Sequence, residues 1–176
     1  MLNSQIARTL LTCLALSSSL ISILPEAARA DSLPGFTLFS GVAPSDQLNY
    51  RLDSGSRGAS DRYRLRIPGS KINRLGAAQI QITYPDYYKG TFDEKNIEVF
   101  VEGKSIPVSD VKWDKERQTL EINLAQQLKT KGEIEVVLSN VRNPDSGGMY
   151  YFSCQVKSSP EFPIARYMGT WILSID

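Results

Sequence analysis

From residue 36 onward, apolar and polar positions alternate along the chain in short runs, the pattern of strands that bury one face and wet the other. Leu48, Tyr50 and Leu52 form one such row, and Tyr63, Leu65 and Ile67 a second. Ile80, Ile82 and Tyr84 face one way while Gln79, Gln81 and Thr83 face the other. The same spacing recurs in Ile97, Val99 and Val101, in Leu120, Ile122 and Leu124, and in Ile134, Val136 and Leu138. Tyr150, Phe152, Cys154 and Val156 make a further row, and Trp171, Leu173 and Ile175 close the chain. Turn chemistry separates the rows. Asp53 to Asp61 is a Ser/Gly loop, Glu102-Gly103 a tight reversal, Asp114 to Arg117 a charged hairpin tip, and Asn143 to Gly148 a longer turn. Helical periodicity is confined to a turn at Ala125 to Lys129 and another at Asp93 to Asn96. Eight or nine short strands at a spacing of about ten residues predict a single antiparallel β-sandwich, immunoglobulin-like or jelly-roll-like, over residues 36–176.

Residues 1–30 carry a different pattern. Arg8 precedes an apolar run from Thr9 to Leu24, thinned by Ser17, Ser18 and Ser19, then broken by Pro25. Ala28-Arg29-Ala30 supplies the small-x-small site that a signal peptidase reads. The run is short and serine-rich for a membrane span, which needs about twenty apolar residues. Cys13 lies mid-run, too early for a lipidated cleavage point. A cleaved signal peptide is expected, with residues 31–35 as a loose tail. The mature chain is then exported, to the periplasm first, with a thylakoid lumen or the medium as alternatives, and no membrane span remains in it.

Composition narrows the chemistry. The formal net charge is +1, and loss of the leader brings it to zero, so a nucleic acid partner is not expected. The two cysteines fall to Cys154 alone once Cys13 is removed, which leaves no internal disulfide. The chain has no histidine, which excludes Ser-His-Asp and Cys-His nucleophile activation and imidazole-based zinc sites.

Three stretches stand out as candidate binding surfaces. Arg62, Arg64 and Arg66 share one strand face at spacings of about 7 Å. They form a basic stripe for an anionic partner, or a solvated face paired with carboxylates such as Glu98, Glu102, Glu133 and Glu135. Tyr84 to Phe92 concentrates aromatics in a loop. Tyr87, Tyr88 and Phe92 anchor a partner there, stack on sugar rings, or fold back to cap the sandwich. Asn140 to Tyr151 holds Arg142, Asn143, Asp145 and Tyr151 on a Gly- and Pro-bearing loop, the composition of a binding rim or of a demanding connection between strands.

Catalytic and metal strings fail on inspection. Ser109-x-x-Lys112 needs a helix to place both groups together, and on a strand they point to opposite sides. Laid on a calcium loop, Asp53 to Arg64 has Gly58 in place, but Gly55, Arg57 and Arg64 stand where ligands belong. Glu133 and Glu135 lie on an open strand rather than in a cleft. Cys154 with Met149 and Met168 is a weak candidate for cuprous ion, set against Cys154 as a core residue. No cofactor is expected.

Thr37-Leu38-Phe39, Arg64 to Pro68, Ile82 to Tyr88, Asn140 to Tyr151 and Tyr167 to Ile175, in that order, resemble a cyanobacterial family of exported proteins known only as a domain of unknown function. The resemblance implies export and brings neither an activity nor catalytic residues. The expected function is non-catalytic binding or assembly in the cell envelope, with a protein partner. The alternatives are a carbohydrate-binding module with Tyr87 and Tyr88 as a platform, and a histidine-independent hydrolase using carboxylates or Ser/Lys.

Overall fold

The structure, a computed structural model, describes residues 41–72, 75–159 and 164–176. The leader expected at residues 1–30, the tail at 31–35 and the start of the sandwich segment lie outside the described residues.

The alternating rows become antiparallel strands: β1 (Tyr50–Leu52), β2 (Ser60–Ile67), β3 (Ala77–Thr83), β4 (Ile97–Val101), β5 (Lys104–Ile106), β6 (Val108–Asp114), β7 (Thr119–Leu128), β8 (Ile134–Arg142), β9 (Gly148–Lys157) and β10 (Ala165–Ile175). They form two five-stranded sheets, ordered β1-β2-β8-β4-β5 and β10-β9-β3-β7-β6. The expected all-β antiparallel sandwich is therefore the fold. Its inner rows interdigitate between the sheets, where Tyr63, Leu65, Ile67, Ile80, Phe152 and Trp171 are fully buried. A buried indole needs an acceptor, and Trp171 Nε1 donates to the Arg66 carbonyl of the opposite sheet at 3.1 Å.

Two strands escape the sequence pattern. β5 has only three residues, all at least partly exposed. In β6 the register shifts between Val108 and Asp110, so the side-chain alternation breaks at that bulge and Val108, Val111 and Trp113 show no regular spacing. The helical turn expected at Ala125 to Lys129 is instead the end of β7, which runs to Leu128 because Ala77 of β3 pairs with Leu128. The turn at Asp93 to Asn96 is present as a 3-10 turn, Glu94–Asn96.

The β10 and β6 edges carry local cover. The β10 edge accepts a bond from Leu48 N–H to the Thr170 carbonyl at 2.9 Å. Ser174 N–H donates to Tyr50 Oη at 3.2 Å, and Asp176 N–H to the Gly55 carbonyl at 2.8 Å. Close approach of residues 46–48 demands Gly169, where φ is +140° and a Cβ would collide with the Asp46 carbonyl and Leu48. On β6, Glu94 Oε1 accepts the outward Trp113 N–H at 2.8 Å.

Candidate functional site

One end of the sandwich gathers three connections: residues 53–60, residues 84–92 and residues 143–148. The aromatic loop starts at β3, where Tyr84 N–H donates to the Gln118 carbonyl at 3.0 Å and Tyr88 N–H closes a turn onto Pro85 at 3.0 Å. Tyr88 and Phe92 then fold inward. Their rings stack with centroids 5.6 Å apart, and Tyr88 meets Phe152 edge-on at 4.9 Å. Phe92 packs on Trp113 at 5.3 Å, and Trp113 Nε1 donates to Tyr84 Oη at 2.6 Å. The loop is stitched to the end of β8 by reciprocal bonds between Thr91 and Arg142, both 2.9 Å. Gly90 permits this approach, since a Cβ there would collide with Tyr88 Oη and the Arg142 carbonyl.

Under the loop lies a chain of buried polar groups. Asn143, 1% exposed, accepts from Tyr63 Oη at 2.5 Å. Its amide nitrogen donates to Asp61 Oδ2 at 3.0 Å and to the Ser56 carbonyl at 2.8 Å. Both partners are acceptors, which fixes the orientation of the amide. Tyr63 spends its one proton on Asn143, so in the 3.1 Å contact between the two hydroxyls Tyr88 is the donor. Asp61 also accepts the N–H groups of Ser54 at 2.8 Å, Gly55 at 2.7 Å and Arg62 at 2.7 Å. Burial pushes its pKa up, but the bonds from Asn143, Gly55, Ser54 and Arg62 outweigh it and hold the carboxyl below its ordinary value. Burial raises the phenols of Tyr63 and Tyr88 far above theirs, so both remain neutral donors. The network is a clamp joining three segments.

The surface above is made by other side chains. Tyr87 is 51% exposed, its ring propped on buried Tyr150 at 5.6 Å. Partial burial raises its phenol, with Tyr151, Tyr150 and Asp86 adding to the effect. Tyr151, 42% exposed, and Met149 face outward from β9. Tyr150 Oη fixes the neighbouring turn by donating to the Ser146 carbonyl at 2.6 Å. Arg142 and Asp145 form an exposed pair at 3.8 Å, a geometry that contributes little to stability.

Of the expected rim and loop residues, Tyr87, Tyr151, Arg142 and Asp145 are therefore at the surface. A contact role for Tyr88, Phe92 and Asn143 is corrected, because their side chains serve as the buried base of the loops. The paired platform of Tyr87 and Tyr88 does not form for the same reason. Asp61 and Tyr63 were missed as members of this end. The legible signal was a hydroxyl-tipped Tyr63 inside an apolar row, a residue that needs a buried partner.

The basic stripe lies on the outer face of the other sheet. Arg62 Nε donates to Ser139 Oγ at 3.1 Å, Arg64 meets Asp53 at 3.6 Å, and Arg66 meets Glu133 at 3.6 Å and Glu135 at 3.3 Å. Glu133 and Glu135 thus neutralise an arginine. Ser109 donates to the Asn123 carbonyl at 3.1 Å, and Lys112 lies 3.9 Å from Asp110, so each is engaged elsewhere. Cys154 is fully buried and burial raises its thiol pKa. Met149 points out of the other side of β9, so the two cannot share a ligand. Among the described residues no helix is long and apolar enough to cross a membrane.

Residues 36–175 match a family model described as a protein of unknown function, DUF2808. No curated protein matches the chain. Similar solved structures include BslA, a bacterial hydrophobin, at 20% identity over 74% of this chain and 97% of that one, with a TM-score of 0.48. BcpA, the major pilin subunit of Bacillus cereus, aligns at 9% identity over 71% of this chain and 40% of that one, with a TM-score of 0.42. The collagen-binding domain of a Staphylococcus aureus adhesin aligns at 9% identity over 72% and 95%, with a TM-score of 0.42.

Proposed function

The chain belongs to the DUF2808 family of proteins of unknown function, and from that premise we propose that it is an exported, non-catalytic binding module of the cell envelope. Its loop end docks a protein partner through Tyr87 and Tyr151, with Arg142 and Asp145 as a polar rim. One observation carries this reading: two half-exposed tyrosines, Tyr87 on its loop and Tyr151 on β9, stand over a base locked by stacked rings and a buried hydrogen-bonded clamp. Ordering a contact residue beforehand removes part of the entropy cost of binding. Aromatic residues set on rigid supports are the usual anchors of protein interfaces. The leader read in residues 1–30 supports placement in the periplasm.

The test is crosslinking in intact cells from a photoreactive group placed at residue 87 or 151, with identification of what is captured. Recovery of one stoichiometric envelope protein, reduced at least about tenfold by Tyr87→Ala or Tyr151→Ala, is the expected result. A crosslinking pattern unchanged by both substitutions would overturn the proposal.

A further inference from the structure

The two outer sheet faces differ in kind. On the sheet of β1, β2, β4, β5 and β8, arginines are bound to carboxylates or a serine. On the sheet of β3, β6, β7, β9 and β10, strand register lines up uncharged hydrogen-bonding groups on β10, β9 and β3, continued by a charged pair on β7 and β6. Tyr167 pairs with Gln155, Gln155 with Gln81, Gln81 with Glu121 and Glu121 with Lys112. This row crosses five strands, about 19 Å at the usual interstrand spacing. A hydroxyl row runs beside it, in which Thr170 pairs with Ser153, Ser153 with Thr83 and Thr83 with Thr119, the two ends, Thr170 and Thr119, being buried.

Charge on this face cancels within it. Lys157 lies 3.9 Å from Glu121 and Lys112 lies 3.9 Å from Asp110. The amides, by contrast, have capacity to spare. Among the described residues, the side chains of Gln81 and Gln155 make no hydrogen bond. Gln79 donates to Asn123 Oδ1 at 2.8 Å, while its own Oε1 is shielded and has no partner. Tyr167, at the end of the row, is 49% exposed. Its hydroxyl is tied to Thr170 Oγ1 at 2.7 Å, which fixes the ring. A bulge between Tyr167 and Gly169 buries Met168 and leaves Tyr167 exposed on the outer face, with Thr170 buried against it, the re-aiming that bulges provide.

We propose that the part of this face around Tyr167, Gln155 and Gln81 binds a neutral polysaccharide lying across the strands, without the use of Tyr87. Tyr167 stacks on a sugar ring, and the free amides of Gln155 and Gln81 bond to its hydroxyls. The chemistry selects this ligand class. An amide offers donor and acceptor together, matching hydroxyls, which are also both. An anionic chain would need unpaired cations, and an apolar partner would strand the amides without bonds.

The test is native electrophoresis of the protein in gels cast with mixed-linkage β-glucan, galactomannan or dextran, with alginate as the acidic comparison. Retardation by at least one neutral polymer, insensitive to added salt, is expected. Affinity should fall at least about tenfold in Tyr167→Ala and in the double variant Gln81→Ala/Gln155→Ala, and hold in Tyr87→Ala and Arg64→Ala. Circular dichroism checks folding, and the glutamine pair decides if Tyr167→Ala is unfolded. Free migration in all three neutral gels would overturn the proposal, and so would retardation confined to alginate. Wild-type affinity in the glutamine pair, or loss of binding in Tyr87→Ala, would overturn it as well. Because Tyr87→Ala is the variant that disables the loop end, failure of one surface leaves the other distinguishable.

Discussion

Asn143 shows how much one side chain can hold. Its amide satisfies Tyr63, Asp61 and the Ser56 carbonyl in a region sealed from water. Asn143→Ala strands a buried hydroxyl and leaves Asp61 with fewer donors, each costing about 1–3 kcal/mol. A loss of about 3 kcal/mol in urea unfolding is expected. Asp61 itself predicts a pH dependence. Its folded pKa lies below the ordinary value, so its ionised form contributes stability that is fully present above the unfolded pKa of about 3.9. That contribution disappears as pH falls through the folded value. Asp61→Asn removes the titration, so the variant is less stable than wild type at neutral pH, and the gap between the two narrows below about pH 4. Parallel unfolding curves across that range would refute the assignment. At this scale the sequence was only partly readable: Asn143 looks like a turn residue by type, and nothing local says its turn is buried.

At the scale of the strands, the edges are where local pattern gives out. The inner rows of β2, β3, β4, β7, β8, β9 and β10 follow directly from alternation, because a strand that buries one face must repeat every second residue. β6 was hidden by its bulge and β5 by its brevity and exposure. The same edge suggests an experiment. Glu94 occupies the outward N–H of Trp113, a device that discourages pairing with another chain. Glu94→Ala should cost less than about 1 kcal/mol in unfolding yet increase self-association, read by light scattering against wild type at equal concentration. At the opposite edge, Gly169→Ala meets both an unfavourable φ and a collision with the Asp46 carbonyl. A loss of at least about 2 kcal/mol is expected there, measured by thermal unfolding.

Across the whole molecule, the loop end separates support from surface. Tyr88 is 3% exposed while its neighbour Tyr87 stands half out. Tyr88→Ala should lose about 3–5 kcal/mol of stability, whereas Tyr87→Ala should change it by less than about 1 kcal/mol, near the range of surface substitutions. Thermal unfolding of the two variants side by side checks the division, and equal effects would contradict it. Alone, the sequence determined the strand rows, the sandwich class and the exclusion of histidine chemistry, since these depend on residue type and local periodicity. Tertiary structure decided which of two adjacent tyrosines faces solvent and which asparagine is buried. A loop has no periodicity to assign its faces, so those choices follow from what β2, β8 and β9, distant in sequence, bring alongside it.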